Sequence, residues 1–329
     1  MNTWKLRFSM VATLAAIFGL TTLVFSAVLL YVGYFSIITV GLLVVVLNVG
    51  QWLLSPYLVG AMYRVKELKS DENPKLHQMV ESLSKKSGIS TPKLMLSHIP
   101  LPNAFAYGSP LTGNRVAVTE GLLKNLDDGE VEAVIGHELG HLKHRDVQVM
   151  MVVSFLPALF YYIGWSLMWS GAMGGERREG GGNGNSALVG IAFMAFSWVL
   201  TLFTLYLSRL REYYADRHSA SVVENGAYKL QTGLVTIVEE SRRSFRPSKN
   251  EAKTNTSYKA LFIADPERAA YDAEELHANN VSSKYDLLRE KLSEKPTKGD
   301  SLAEIFSTHP NIIKRLRALQ EIQENTRSA

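Results

Sequence analysis

Four long apolar runs without a charged residue constrain the fold of this 329-residue chain more than any other feature. They cover residues 8–31, 34–60, 147–173 and 186–207. Each run is long enough to cross about 30 Å of hydrocarbon as a single α-helix. We therefore expect an α-helical integral membrane protein with four transmembrane helices, at about 8–31, 34–56, 147–170 and 187–207.

These runs divide the chain into alternating membrane and soluble parts. We expect residues 1–60 to form one transmembrane hairpin and residues 147–207 a second, with soluble parts at 61–146 and 208–329. The first run could instead belong to a cleavable signal peptide, since Lys5 and Arg7 precede it. Its length and the second run that follows almost at once favour an uncleaved anchor.

Basic residues in the short connecting segments predict the orientation in the membrane. In a four-span arrangement most lysines and arginines near the span ends fall on one side, and only Arg177 and Arg178 fall on the other. The positive-inside rule then places both termini and the soluble parts in the cytoplasm, at the cell membrane.

Composition narrows the range of functions. The chain has no cysteine, which excludes disulfides and thiolate metal ligands. Its formal net charge of +4 is modest, and no zinc-finger spacing or interleaving of basic and aromatic residues is present. We therefore expect no nucleic-acid partner.

Local signals predict several elements of the soluble parts. A helix should begin at Asn73-Pro74 and end at Gly88, and strands should lie at 93–98 and 115–119 with a loop between them. Another helix should continue from 208 to about 223, and a last one should begin at Asn311. Residues 174–185 are expected to form a flexible link, and 241–257 a mobile surface loop.

The pentapeptide HELGH at 137–141 predicts a metal site on a helix. Asp127 and Glu130 form the pattern of a capping box that begins this helix. His137 and His141, four residues apart, then project from one face about 5–6 Å apart at Cβ, and Glu138 between them can act as a general base. The alternative is a solvated helix with two unremarkable histidines.

A catalytic zinc needs a third protein ligand and one open position. His141 lies about six residues before the third apolar run, and Glu212 lies about five residues after the fourth. Because the two runs form an antiparallel hairpin, both residues should lie roughly 8–9 Å beyond the membrane boundary. We therefore expect Glu212 to complete a site for one zinc ion, ahead of Glu120, Asp146 and Asp216.

Asp216 lies one helical turn after Glu212. We expect its carboxylate to hold a zinc-bound imidazole in the required tautomer. The alternative is a surface carboxylate that pairs with Arg209 or His218.

Four motifs together resemble the HtpX-type membrane zinc metallopeptidases, which are related to the CAAX prenyl endopeptidases and, more remotely, to thermolysin. The motifs are HELGH, SRLREYYAD at 208–216, NAFAYG at 103–108 and THP at 308–310. The resemblance implies a cytoplasmic α+β zincin-like protease domain that cleaves membrane or misfolded proteins in protein quality control under stress. It also implies that His137, His141 and Glu212 bind zinc and that Glu138 is the base.

The resemblance extends to catalytic and substrate-binding residues. It implies that His309 donates a hydrogen bond to the oxyanion, with Arg315 beside it at the site, although His309 could simply open the last helix. It also implies that Asn103, Ala104 and Phe105 belong to an edge strand that binds an extended peptide. Asn103 could equally be an ordinary loop residue.

Two other functions are compatible with a metal motif in a membrane protein. A non-enzymatic metal carrier or regulator would be expected to place ionisable residues inside its spans, and these four spans have none. A processing enzyme for prenylated peptides would be expected to enclose a large chamber with more than four spans. We therefore expect protein substrates and the lipid bilayer as partners, with the oligomeric state open.

Overall fold

The computed structural model describes residues 37–173, 183–244, 288–289, 292 and 304–327. The predicted first span, most of the predicted 174–185 link and the part of the predicted surface loop beyond residue 244 lie outside these residues. The chain divides into two compact units, one comprising residues 1–51 and 150–205 and the other comprising 52–149 and 206–329. The predicted metal-site residues all fall in the second unit.

The N-terminal part of the described chain contains two helices and a short strand. Helix α1 (Ile37–Met62) covers the predicted second span and has no charged residue. Strand β1 (Val65–Glu67) follows it. Helix α2 (Pro74–Ser87) begins at Asn73, whose side chain accepts a hydrogen bond from Leu76 N–H, and ends at Gly88 in the left-handed conformation, as the sequence predicts.

A four-stranded mixed sheet follows. Strands β2 (Lys93–Ser97), β3 (Ala104–Ser109) and β4 (Gly113–Thr119) join β1 in the order β1-β2-β4-β3. Strand β2 runs parallel to β4, and β3 runs antiparallel to β4. Strand β3 therefore lies at an edge of the sheet. The sequence pattern predicts β2 and β4 with a loop between them, whereas the family resemblance implies an edge strand there, in the place where β3 lies. No expectation from the sequence covers β1.

The helix with the histidine pair packs in the centre of the second unit. The short helix α3 (Glu120–Asn125) leads to helix α4 (Asp128–Lys143), which contains the HELGH sequence. The buried side of α4 includes Val134, Ile135 and Leu139. These side chains join one apolar core with residues of helix α7 (Gly226–Ser244) and helix α8 (Ile312–Arg327).

Two long helices lie between α4 and α7 in the sequence. They are α5 (Asp146–Met173) and α6 (Asn183–Val222), and α6 is one continuous helix of 40 residues. Within the described residues, the stretches Asp146–Trp169 and Ala187–Val222 are long and apolar enough to cross a membrane. With 40 residues, helix α6 extends about 60 Å, twice the hydrocarbon thickness of a bilayer. Its charged C-terminal half is therefore in excess of the length needed to cross the hydrocarbon.

The apolar parts of α5 and α6 contact each other closely in the first unit. A Cβ atom added to Gly164 would lie 2.5 Å from the carbonyl oxygen of Gly190, and the reverse distance is also 2.5 Å. No side chain larger than hydrogen fits at either position without separating the helices. The two glycines therefore permit contact between the two backbones.

Candidate metal centre

The start of helix α4 is fixed by its capping box. The Asp127 carboxylate accepts a hydrogen bond from Glu130 N–H at 2.8 Å, and the Glu130 carboxylate accepts one from Asp127 N–H at 3.2 Å. Two donors that would otherwise be unsatisfied at the helix N-terminus are thereby paired. The helix then extends without interruption through His137 and His141.

The two histidine side chains face each other through their Nε2 atoms, which are 3.2 Å apart. On the other side of each ring a carboxylate lies against Nδ1: Asp216 Oδ1 is 2.9 Å from His137 Nδ1, and Asp146 Oδ2 accepts a hydrogen bond from His141 Nδ1 at 2.5 Å. A carboxylate can only accept, so each Nδ1 carries the proton and each Nε2 presents a lone pair. Two lone pairs directed at one point favour a cation between them.

Glu212 supplies the third donor. Its Oε1 lies 3.5 Å from His141 Nε2, and its Oε2 lies 3.7 Å from His137 Nε2. One atom of each of the three residues falls within 4.8 Å of the others. Ligands at 2.0–2.1 Å in tetrahedral geometry are about 3.3 Å apart, so these donors need little adjustment to hold one metal ion. Glu212 Oε2 is also buried, with Arg315 Nη1 at 3.2 Å and His309 Nδ1 at 3.4 Å.

Two glycines of α4 bring Glu212 to the histidines. A Cβ atom on Gly140 would lie 3.0 Å from Ala215 Cα and 3.1 Å from His218 Cβ, and one on Gly136 would lie 3.2 Å from Ser219 Oγ. Helices α4 and α6 therefore cross with almost no side-chain spacer. The glycine inside HELGH sets the separation between the histidine pair and the helix that carries Glu212.

Asp146 makes contacts at the site that the sequence does not predict. Besides contacting His141, its carboxylate lies 3.0 Å from Arg211 Nε, which belongs to the residue just before Glu212. Burial alone would lower the pKa of His141, but the hydrogen bond that His141 donates to Asp146 and the charges of Glu212 and Glu138 outweigh it, so this pKa is raised. A proton and a metal ion then compete for His141, which makes metal binding weaker at low pH.

Arg315 lies beside the candidate metal ligands and is only 2% exposed. Its guanidinium donates to Asp216 through Nε at 2.9 Å and Nη2 at 2.6 Å, and its Nη1 lies 3.2 Å from Glu212 Oε2. Burial would lower the pKa of Arg315, but the charges of Asp216 and Glu212 outweigh it and raise this pKa. Arg315 therefore contacts two carboxylates of the site, and its expected catalytic role stays a prediction.

His309 lies at the mouth of the site, 3.4 Å from Glu212 Oε2 through its Nδ1, and is a quarter exposed. It does not open the last helix, because Asn311 does: the Asn311 side chain accepts from Ile313 N–H at 2.8 Å. The alternative role considered for His309, to open the last helix, therefore belongs to Asn311, two residues later.

The expected base lies beside the edge strand. Glu138 is almost buried, and its Oε2 accepts a hydrogen bond from Ala106 N–H at 2.7 Å. The N–H of Ala106 therefore points away from β4. Because the facing of main-chain groups alternates along an antiparallel pair, those of Ala104 and Gly108 also point away from β4.

Two residues expected to bind substrate have buried side chains, and their role in binding stays a prediction. The Phe105 ring packs against Tyr63 at 5.0 Å between centroids, and Phe105 is 3% exposed. Asn103 is fully buried, and its main chain pairs with Thr119. A peptide at this edge would therefore contact the main chain of Ala106 and its outward-facing neighbours rather than the Phe105 side chain.

Together, paired histidines on a helix, a carboxylate from a second helix and an adjacent glutamate form the site of a metal-dependent peptidase of the HExxH class. Comparisons with known proteins agree. The model of peptidase family M48 matches residues 70–323. A protease HtpX homolog of Thermoplasma acidophilum is 36% identical over 97% of this chain and 98% of its own. One of Aeropyrum pernix is 41% identical over 83% and 82%, respectively.

Among solved structures, the crystal structure of S. mikatae Ste24p superposes with a TM-score of 0.54 at 16% identity. The match covers 96% of this chain and 66% of that one, and it shows a shared fold. The chain belongs to peptidase family M48 and is a metalloprotease.

Proposed function

We propose that this metalloprotease is an integral-membrane zinc endopeptidase that cleaves membrane or misfolded proteins in protein quality control. The convergence of His137, His141 and Glu212 beside Glu138 is the observation that carries the proposal. Two long apolar helices support a membrane location. The positive-inside rule favours a cytoplasmic catalytic unit in a four-span protein.

We propose zinc as the metal and His137, His141 and Glu212 as its ligands. The donors are two imidazole nitrogens and one carboxylate, a set that catalytic zinc sites use, and the chain offers no thiolate. When bound, zinc would lower the pKa of a water molecule towards about 7 and polarise the scissile carbonyl. Asp216 and Asp146 would hold the two imidazoles so that Nε2 faces the ion.

Glu138 is proposed as the general base. Ala106 N–H holds its Oε2 and leaves its Oε1 to accept the proton of the attacking water. The same carboxyl group would then deliver this proton to the leaving amine. Because Glu138 is nearly buried, bulk water does not compete for its proton.

His309 is proposed to donate a hydrogen bond to the oxyanion that develops on the scissile carbonyl. It is a quarter exposed and lies against the metal-ligand carboxylate, so a bound peptide can reach it. One such donor contributes about 3–4 kcal/mol to transition-state stabilisation in other peptidases. Arg315, by contrast, would act through Asp216 and Glu212.

The edge strand β3 is proposed to bind an extended peptide through its outward-facing main chain. Main-chain hydrogen bonds do not depend on the peptide sequence, so this mode fits an enzyme with varied protein substrates. It would also bring the peptide next to Glu138, because Ala106 donates its N–H to Glu138 and has its C=O left for the peptide.

The substitution Glu138→Gln tests the mechanism. We expect the variant to bind one zinc per chain, since Glu138 is not a ligand, and to lose β-casein cleavage by about 10²–10⁴-fold. Zinc would be measured by elemental analysis and cleavage by gel electrophoresis, after chelation and reloading in detergent.

Glu132→Gln is the matched control, because Glu132 is on the same helix and pairs with Lys229 away from the metal centre. Full cleavage by Glu138→Gln would refute the assigned base. No cleavage by the zinc-loaded natural sequence would refute the proposed activity.

A further inference from the structure

A cavity of about 370 Å³ lies next to the metal centre and has no part in the mechanism above. The metal-ligand His141 forms part of its wall, and so does Gly108 of the edge strand β3. Its volume is at the lower end of the range of ligand pockets, about 300–1,000 Å³, and it can hold a large side chain. The cavity therefore adjoins one proposed metal ligand and the proposed peptide-binding strand.

The lining of the cavity is positively charged. Lys143 and Arg145 contribute to it, and no aspartate or glutamate does. Neither cation forms an ion pair with any residue that the structure describes. Asp146, which follows Arg145, does not compensate them, because its carboxylate is engaged by His141 and Arg211. The remaining polar lining consists of neutral groups such as Asn114 and Gln148.

The position of the cavity along β3 predicts which part of a substrate it would receive. Ala106 contacts the proposed base, and Gly108 lies two residues further along the strand. Successive strand residues are about 3.3 Å apart, so the two positions are separated by roughly 7 Å. A peptide added to this edge therefore presents to the cavity a residue one to three positions from the scissile bond.

On the basis of the proposed peptidase function, we propose that this cavity is a substrate subsite that selects acidic side chains. Lys143 and Arg145 attract an aspartate or glutamate of the bound peptide, and the absence of carboxylates in the wall removes competition. Partly exposed ion pairs of this kind contribute modestly, so the subsite biases cleavage among extended peptides rather than defining one sequence.

Matched fluorogenic peptides test the subsite with the zinc-loaded, full-length protein. The peptides differ only in having Glu, Gln or Lys at one position, scanned over three residues on each side of the cleaved bond. We expect one position at which kcat/KM for Glu exceeds that for Gln by about threefold to tenfold, with Lys cleaved most slowly. Raising the salt concentration should reduce this ratio because ions screen the attraction.

Charge substitutions in the wall provide the second half of the test. Lys143→Gln and Arg145→Gln should each move the Glu-to-Gln ratio at that position towards one, and the double change to Glu should reverse it. Lys124→Glu is the control, since Lys124 is exposed on α3 and does not line the cavity. The ratio within each variant corrects for any change in overall activity.

Three results would overturn the inference in different ways. Equal cleavage of Glu and Gln peptides at every position would exclude acidic selection while leaving the peptidase function intact. Wall substitutions that change all peptides equally, and only in vesicles of anionic lipid, would assign Lys143 and Arg145 to lipid headgroups. Failure of the natural sequence to cleave any peptide would refute the proposed function, and the subsite with it.

Discussion

Two carboxylates determine which nitrogen of each histidine faces the metal. Asp216 lies 2.9 Å from His137 Nδ1 and Asp146 accepts from His141 Nδ1, so both Nε2 lone pairs converge. Asp216 comes from α6, the helix that supplies Glu212, whereas Asp146 is the first residue of α5, which precedes α6. Asp146 also contacts Arg211, so neighbouring residues of α5 and α6 support the same imidazole.

Asp146→Asn is expected to weaken metal binding. The amide can still accept from Nδ1, but it has no charge to increase the basicity of His141, so we expect a loss of zinc affinity of about tenfold or more. Competition with a chelating dye measures the dissociation constant. Asp128→Asn is the control, since Asp128 is exposed and pairs with Lys75. An unchanged affinity would show that Asp146 does not support the ligand.

Arg315→Met is expected to destabilise the metal-free protein. The change leaves the buried carboxylates of Glu212 and Asp216 without their principal cation, which costs about 3–5 kcal/mol in comparable pairs. Denaturant unfolding in detergent measures the loss. Arg317→Met, two residues later on α8, should have a much smaller effect because no described carboxylate pairs with Arg317. Equal losses in both variants would contradict the assigned role of Arg315.

Close packing of helices assembles the site at the scale of elements. Gly136 and Gly140 allow α4 to approach the part of α6 that contains Ala215 and Ser219, and Ser219 Oγ donates to Ala133 C=O at 2.6 Å. Glu212 lies one turn from Ala215, so its distance from the histidines depends on this crossing.

Gly140→Ala tests the crossing directly. Alanine is the better helix former, yet its methyl group would lie 3.0 Å from a backbone atom of α6, and overpacking of this kind costs about 1–3 kcal/mol. We expect lower stability, measured by thermal unfolding, and weaker zinc binding because Glu212 is displaced. Gly129→Ala on the same helix meets mainly the flexible Lys229 side chain and should be tolerated. Unimpaired zinc binding by Gly140→Ala would show that the crossing can relax.

Local sequence signals predict the ends of helices. The Asn73 and Gly88 ends of α2 and the capping box of α4 depend on residues within one helical turn, so they could be read from the sequence. Strands β1 and β3 exist because of their pairing partners, which no local pattern reveals. The contact of His218 with Ser87 is another that no local pattern reveals, because its buried Nε2 lies 2.9 Å from Ser87 Oγ of a distant helix.

The same distinction between local signals and long-range contacts applies to the residues of the site. Spacing from the apolar runs indicated Glu212, and Asp216 followed from helical periodicity. The contact of Asp146 with His141 requires the turn at Arg145, which has a positive φ of 54°. The bidentate pairing of Arg315 with Asp216 joins residues that are 99 positions apart.

The whole chain is expected to cross the membrane four times with both ends in the cytoplasm. Because the sequence has no cysteine, single cysteines report topology without a background to remove. In right-side-out vesicles we expect Gly180→Cys to react with an impermeant maleimide and Ser328→Cys to react only after permeabilisation. Glu138→Gln would serve as the parent sequence to avoid self-cleavage. Labelling of Ser328→Cys in intact vesicles would contradict the cytoplasmic orientation.

The close approach of Gly140 to Ala215 has a consequence for protein design. A designer who grafts a pair of histidines and a glutamate onto an existing helix copies the ligands but not the spacing that aligns them. The host would need a second helix that comes as close as α6 does here. In this protein the Cα atom of Ala215 lies 3.0 Å from the position that a Cβ atom on Gly140 would occupy. The transferable unit is therefore two helices and their contact, rather than five residues of one.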